Sequence, residues 1–188
     1  GLARKIAGDL ALRFVSEGKV QGDWILCTDA DVSVPADYFL RASGETSAAA
    51  ALLYPFTHEP EGDVLQAQAM ALYEGFLHYY VSGLRYAKSP YAFHTIGSLI
   101  GVRATAYAAV RGFPKRQAGE DFYLLNKLAK VGEVVQLGGT PVRIRGRESA
   151  RVPFGTGAAV TKIRQLLVEN KPYLVMAPRG FEGLRIWL

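Results

Sequence analysis

The feature that most constrains the fold is a short, continuous run of apolar residues that ends at two carboxylates. Residues 24–28 are Trp, Ile, Leu, Cys and Thr, and they are followed by Asp29 and, one residue later, Asp31. An apolar run of this length, rich in strand-forming residues, is typical of a strand buried on both faces of a sheet. The sequence therefore predicts an α/β protein with this segment as a buried central strand.

Helical patterns surround this strand and occupy much of the rest of the chain. In the first segment, Leu2, Ile6, Leu10 and Phe14 recur every fourth residue, which predicts a helix with an apolar face that ends at Gly18. Further helices are predicted at residues 36–41, 63–84, 104–110, 120–130 and 158–169, further strands at 47–54, 98–102, 134–137 and 141–145, and a loop at 56–63. Strands that alternate with helices predict an α/β sheet protein.

Composition excludes several classes of protein. The 188 residues suit one domain, and an aromatic content of 11% excludes intrinsic disorder. Cys27 is the only cysteine, which excludes a disulfide framework. The longest apolar stretch, residues 48–56, is too short to span a bilayer. The excess of 22 Lys and Arg over 17 Asp and Glu is mild, and it fits phosphate-rich ligands, an anionic membrane surface or solubility alone.

The two carboxylates after the predicted strand are the first candidate site. Asp29 and Asp31 follow the strand at the edge where open α/β sheets bind ligands. Carboxylate oxygens suit Mg²⁺ or Mn²⁺, and such ions often bind phosphate oxygens as well. The alternative is a polar turn in which Asp31 caps the next helix. The strand before the pair favours the metal hypothesis.

A second acidic pair, Glu120 and Asp121, follows Gly119 and opens an amphipathic helix. One interpretation is structural, because acidic residues stabilise a helix N-terminus. The functional hypothesis is a general base, a carboxylate within hydrogen-bond reach of an acceptor hydroxyl. The presence of the first acidic pair in the same chain favours the functional hypothesis.

A basic, glycine-containing loop at residues 147–157 is the third candidate. Arg147 and Arg151 lie in it, and arginine binds phosphate through its planar fork of donors; the alternative is a solvated turn. His94 precedes a predicted strand, but the three histidines of the chain lack the spacing of a zinc site. Cys27 is predicted to be a core residue rather than a nucleophile.

In their order along the chain, these motifs resemble the family 2 glycosyltransferases of the GT-A fold, in the nucleotide-diphospho-sugar transferase superfamily. The resemblance covers residues 1–157. It is carried by Ala3 and Arg4 on the first helix, by residues 24–31, 101–103, 110–113 and 119–122, and by the segment 143–151. It implies a GT-A-like, Rossmann-related mixed sheet flanked by helices.

The resemblance also implies a role for each candidate residue. Asp31 would bind a divalent cation, Mg²⁺ or Mn²⁺, directly, and Asp29 would contact the cation or the ribose of the donor. Asp121, in its pair with Glu120, would be the base of an inverting, single-displacement transfer. The loop that carries Arg147 and Arg151 would add positive charge over the diphosphate and close over the site.

The implied substrates are a nucleotide-diphosphate sugar and the hydroxyl of a glycan or a lipid-linked acceptor, in cell-envelope glycan assembly and without nucleic acid. We expect a cytoplasmic protein, at the inner face of the membrane if it contacts one, because the chain has a single cysteine and opens without a long apolar segment. Peripheral membrane contact and a homo-oligomer stay open as alternatives.

The resemblance begins late, because family members usually start with a strand, turn and helix that hold the nucleotide base. We therefore expect a chain that lacks this N-terminal portion. Residues 1–157 would form the catalytic part of the GT-A domain, and residues 158–188 a C-terminal helix and tail packed on it or extending from it. The Gln-x-x-Arg-Trp signature of processive polysaccharide synthases is missing from the sequence, which argues against a cellulose-synthase-like polymerase.

Two other functions compete with the transferase. In a haloacid-dehalogenase-like phosphohydrolase, Asp29 would attack phosphate and Asp31 would be the acid and base. Ser33 matches that motif poorly, and the later acidic pair opens a helix instead of ending a strand. The non-enzymatic alternative is a fragment that binds a nucleotide sugar or a carbohydrate without catalysis.

Overall fold

The computed structural model describes residues 1–45, 47–146 and 155–188, and in these ranges the chain is a mixed α/β protein, which confirms the predicted fold class. The chain divides into two compact units. The first contains Gly1–Phe56 and Thr95–Val142, and the second contains Thr57–His94 and Arg143–Leu188. The predicted catalytic part, residues 1–157, and tail, residues 158–188, stay a prediction.

Most of the predicted helices and strands are present, and the described residues also contain two short strands and one helix that were not predicted. The helices are α1 (Leu2–Ser16), α2 (Tyr38–Ser43), α3 (Val64–Tyr86), α4 (Ala104–Ala109), α5 (Glu120–Leu128), α6 (Thr156–Val168) and α7 (Arg179–Trp187), with a 3₁₀ turn at Gly97–Leu99. The strands are β1 (Trp24–Leu26), β2 (Val32–Ser33), β3 (Ala51–Leu53), β4 (Phe56–Pro60), β5 (Ile100–Arg103), β6 (Val134–Gln136) and β7 (Val142–Gly146).

The first unit is organised around a four-stranded sheet in the order β1-β5-β3-β6. β5 is antiparallel to both β1 and β3, and β3 is parallel to β6. The residues of β3 and the first three residues of β5 are buried. These two strands form the centre of the sheet because both of their faces are covered, as their uninterrupted apolar sequence predicts.

The prediction that residues 24–28 contain a strand is confirmed by β1. The prediction that this strand is central in the sheet is wrong. Within the described residues, β1 pairs with β5 alone and lies at an edge of the sheet. Ile25 is buried, while Trp24 lies beneath the guanidinium of Arg103, 4.3 Å from its centre to the ring. In β1, therefore, only Ile25 is buried, and its neighbours Trp24 and Leu26 are partly exposed, so the strand is not buried on both faces.

Helix α1 forms where the spacing predicts it, but its apolar stripe does not face the core. Leu2, Ile6 and Leu10 are 57%, 60% and 47% exposed. The helix packs instead through Gly8, which is buried where an added Cβ would overlap the side chain of Tyr107 in α4. The close contact between two elements is made at the residue without a side chain, which hydrophobic periodicity does not detect.

The second unit is built on the pairing of two helices. Ala69 and Met70 of α3 form a buried cluster with Val160 and Ile163 of α6. β4 and β7 are hydrogen-bonded neighbours. The prediction of a loop at residues 56–63 is therefore wrong for β4, whose segment is Phe-Thr-His-Glu-Pro and whose strand character comes from pairing that local sequence does not show.

No helix in the part of the chain that the structure describes combines the length and the apolarity that crossing a membrane requires.

Candidate functional site

The side chain of Arg4 brings the two acidic pairs of the first unit together. Its Nη2 lies 2.6 Å from Oδ1 of Asp29, and its Nη1 lies 3.1 Å from Oε1 of Glu120. Arg4 is in α1, Asp29 follows β1, and Glu120 is the first residue of α5. One guanidinium therefore contacts carboxylates that are 25 and 116 residues away along the chain.

Gly97 gives Arg4 the space that this arrangement needs. A Cβ at position 97 would overlap the guanidinium of Arg4, so the backbone at the start of the 3₁₀ turn lies directly against the charged group. Glycine here permits this close approach of the guanidinium, and its backbone angle is not unusual. The turn leads into β5, so the support under Arg4 is fixed to the centre of the sheet.

Glu120 is also held by its own helix, α5, whose later residues pack against the rest of the first unit. Leu124, Leu125 and Leu128 are buried, and the Nζ of Lys127 donates hydrogen bonds to the carbonyls of Val110 at 2.6 Å and Gly112 at 3.0 Å. The helix begins directly after Gly119, whose φ of 72° lies in the left-handed region that glycine adopts without strain. These contacts give the acidic pair a rigid support.

Asp121 lies in a partly buried environment that perturbs its carboxylate. Burial, together with the neighbouring charge of Glu120, raises the pKa of Asp121 above its ordinary value, while the Phe122 N–H and Arg4 act against the increase. Its Oδ1 accepts a hydrogen bond from the backbone N–H of Phe122 at 2.8 Å. A partly desolvated carboxylate with a raised pKa can accept a proton more readily than an exposed one.

Asp31 lies half-buried in the turn between β1 and β2, two residues beyond Asp29. The N–H of Val32 donates to the carbonyl of Asp29 at 3.3 Å, so the two aspartates share one tight turn. The alternative in which Asp31 caps the next helix is wrong, because α2 begins at Tyr38 with Asp37 in the cap position.

The donor set fits a divalent cation that takes most of its ligands from a substrate. Within residues 1–45, 47–146 and 155–188, no three His, Cys, Asp or Glu side chains form a group that could hold a metal ion by themselves. Mg²⁺ commonly binds through one or two carboxylates and completes its shell with phosphate oxygens and water. Asp29 and Asp31 match that pattern in number and ligand type.

Three candidates from the sequence remain: Arg147, Arg151 and Cys27. Arg147 and Arg151 lie outside the described residues. Cys27 continues the pairing of β1, since its N–H donates to the carbonyl of Ile100 at 2.8 Å, and burial raises the pKa of its thiol to about 11. A thiol with so high a pKa stays protonated near neutral pH, which agrees with the prediction that Cys27 is not a nucleophile.

Sequence reasoning assigned no role to Arg4, although the residue is part of the motif order. Its position on a face of α1 away from the apolar stripe is the one local signal available. The signal does not identify the partners, because a helical pattern gives the direction of a side chain relative to its own helix only.

Comparison with known proteins gives no match: no family model, no curated protein and no solved structure corresponds to this chain.

Proposed function

We propose that the first unit belongs to an inverting glycosyltransferase of the GT-A type, which moves a sugar from a nucleotide-diphosphate donor to an acceptor hydroxyl. The observation that carries the proposal is the contact of Arg4 with both Asp29 and Glu120, at 2.6 Å and 3.1 Å. Single-displacement transfer needs a cation-binding group at the donor diphosphate and a base at the acceptor, within one site. The two acidic pairs supply both kinds of group at one place.

On the donor side, Asp31 and Asp29 are the residues that would hold Mg²⁺ or Mn²⁺. The cation, when bound, would neutralise charge on the diphosphate leaving group. Asp29 is 47% exposed, so one of its oxygens can remain accessible while the other is held by Arg4. Arg147 and Arg151 would add positive charge from the segment that follows β7 in the sequence.

On the acceptor side, Asp121 is the group best suited to take a proton. The acceptor oxygen forms its bond to the anomeric carbon as the bond from that carbon to the diphosphate oxygen breaks. The hydroxyl proton passes to the carboxylate of Asp121, and the nucleoside diphosphate leaves. Because attack and departure occur on opposite faces, the configuration inverts. The raised pKa of Asp121 favours proton acceptance near neutral pH.

Glu120 has a different task in this proposal. Its side chain is 14% exposed and is committed to Arg4, so it is less accessible to a substrate hydroxyl. Glu120 fixes the first turn of α5 against α1 and so positions Asp121, the next residue. The acidic pair thus divides into a base and a positioning residue.

The wider proposal places the enzyme in cell-envelope glycan assembly, at the cytoplasmic side where sugar nucleotides are available, with a glycan or lipid-linked acceptor. It rests on the resemblance of residues 1–157 to family 2 glycosyltransferases.

The test is the stability of the chain in the presence of Mn²⁺ and UDP or GDP. We expect the melting temperature to rise when metal and one nucleotide are both present, and the rise to be lost in Asp31→Ala. Glu182→Ala, an exposed acid-to-alanine change distant in sequence from both acidic pairs, is the control and should keep the effect. The absence of stabilisation by either nucleotide with metal, or its persistence in Asp31→Ala, would contradict the proposal.

The competing phosphohydrolase predicts a different result in one further measurement. There, Asp29 forms a covalent aspartyl-phosphate, so a phosphate mimic should bind at Asp29 without any nucleotide. In the transferase the mimic should give no such adduct.

A further inference from the structure

The second unit contains a groove along one face of α3, and the proposed transferase chemistry of the first unit does not involve it. Its volume is about 320 Å³, and it is lined by residues of β4 and α3: His58, Pro60, Ala67, Met70, Ala71, Glu74, Gly75 and His78. This volume lies at the lower end of the range of small-molecule sites, about 300–1,000 Å³. We call it the Glu74 groove.

Small residues in α3 create the space. Ala67, Ala71 and Gly75 are spaced four residues apart and so lie in one row on the helix surface. A Cβ at Gly75 would meet no atom within 4 Å, so this position opens directly into the groove. Met70, which is 2% exposed, supplies apolar surface beside this row. The groove therefore has a wall lined by small and apolar residues.

A fixed carboxylate lies beside this apolar wall. Oε2 of Glu74 accepts two hydrogen bonds from His58 in β4, from the backbone N–H at 2.7 Å and from Nδ1 at 2.8 Å. Because a carboxylate can only accept, Nδ1 of His58 carries the proton. Both bonds engage Oε2, and a carboxylate has about four acceptor positions, so Glu74 keeps the capacity for a further donor.

The charge of Glu74 is not cancelled by the histidine that holds it. The side chain of His58 is fully buried, and burial lowers the pKa of its ring. Near neutral pH and above, His58 is therefore a neutral donor, and it brings no positive charge to the side of Glu74. The side chain of Glu74 is 23% exposed, so a ligand in the groove can reach it.

We infer that the Glu74 groove binds a small organic cation, an ammonium group carried on a compact apolar body. The ammonium would donate to the preorganised carboxylate of Glu74, and the apolar body would cover Ala71, Gly75 and Met70. A charge-assisted hydrogen bond beside a small apolar surface selects an amine over a neutral alcohol of the same shape and over a carboxylic acid.

The probes that test this inference are cyclohexylammonium, cyclohexanol and cyclohexanecarboxylate, titrated into the ¹⁵N-labelled chain at pH 8 and followed by NMR. We expect cyclohexylammonium to bind with a millimolar Kd and to shift the signals of His58, Ala71, Glu74 and Gly75. Cyclohexanol should bind about tenfold more weakly, because it lacks the charge-assisted bond. The carboxylate should not bind.

Two pairs of variants separate recognition from folding. Glu74→Gln should weaken cyclohexylammonium binding about tenfold while Glu182→Gln, an exposed position in α7, leaves it unchanged. Gly75→Leu keeps Glu74, improves helix propensity and fills the groove, so it should abolish binding in a folded protein. Gly183→Leu is the matched control, because it is also a helical glycine with open space around its Cβ position.

Four results would each overturn the inference. These are equal binding of amine and alcohol, unchanged amine binding in Glu74→Gln, unchanged amine binding in Gly75→Leu, and the lack of any binding by the amine at saturating concentration. Because none of these measurements involves nucleotide, metal or sugar transfer, the result is independent of the function proposed for the first unit.

Discussion

Arg4 and Glu120 form an ion pair at 3.1 Å, although 116 residues separate them in the chain. The same guanidinium contacts Asp29 at 2.6 Å. Arg4 is one-quarter exposed and Glu120 less so, which makes this pair stronger than an ordinary surface salt bridge. The pair connects the first helix, the end of β1 and the start of α5, and these are the three elements on which the proposed chemistry depends.

Replacement of Arg4 should therefore affect both stability and the site. We expect Arg4→Ala to lower the free energy of unfolding by about 1–2 kcal/mol, because Glu120 then keeps its charge without its partner. Arg4→Lys should recover only part of this loss, since an ammonium is a point charge and cannot fork between two carboxylates. Urea denaturation measures both values. Equal stability of Arg4→Ala and the unaltered chain would show that the bridge contributes nothing.

The contact between Gly97 and Arg4 gives a second prediction. Gly97→Ala should displace the guanidinium and lose the same two ion pairs, so the double variant Arg4→Ala/Gly97→Ala should be little more unstable than either single variant. Gly138→Ala is the control, because a Cβ there meets no atom within 4 Å. Full additivity of the two single effects in a double-mutant cycle would mean that Gly97 does not act through Arg4.

Asp121→Asn tests the assignment of the base. The amide keeps the size of the side chain but cannot accept the proton, so transfer should fall by about 10²- to 10⁴-fold while binding of the nucleotide with Mn²⁺ is unchanged. The raised pKa of Asp121 also means that activity should decline with acidity at a higher pH than for an ordinary aspartate. Transfer that survives in Asp121→Asn would exclude Asp121 as the base.

Buried histidines should make the second unit sensitive to acid. Burial, together with electrostatic repulsion from His78 and Arg85, lowers the pKa of His94 from 6.5 to about 4. Burial also lowers the pKa of His58. The folded state thus favours the neutral rings. Their contribution to stability is complete above pH 6.5 and decreases as the pH falls towards 4, where the unfolded chain binds more protons.

We expect the melting temperature to decrease between pH 7 and pH 4.5, and His94→Asn to reduce that dependence. An unchanged dependence in His94→Asn would show that His94 is not among its sources.

Local sequence patterns predicted much of the secondary structure correctly. The strand before Asp29, the helix that starts at Glu120 and the helix over Val64–Tyr86 were all predicted, because their apolar spacing and flanking residues are local properties. β4 and α7 were not. β4 depends on hydrogen bonds to a distant strand, and α7 lies in a segment whose aromatic and basic residues showed no clear period.

The arrangement of the site could be predicted only in part. The resemblance implied a donor role for one acidic pair and an acceptor role for the other, and Arg4 contacts one residue of each, Asp29 and Glu120. The edge position of β1 and the exposed stripe of α1 could not be deduced, because hydrophobic spacing indicates which residues prefer burial and not which partner covers them. No local sequence pattern predicts the contact between Gly97 and Arg4, because the contact depends on the lack of a side chain at glycine.

The most direct test of the central claim is NMR of the ¹⁵N-labelled chain with Mn²⁺ and UDP or GDP. Bound Mn²⁺ broadens the signals of nearby amides, whatever their position in the sequence. We predict that the signals of residues 29–31 and 119–122 broaden together, that those of Val134–Gln136 in β6, at the other edge of the sheet from β1, broaden less, and that Asp31→Ala removes the effect. Broadening at one acidic pair without the other, or at neither, would contradict it.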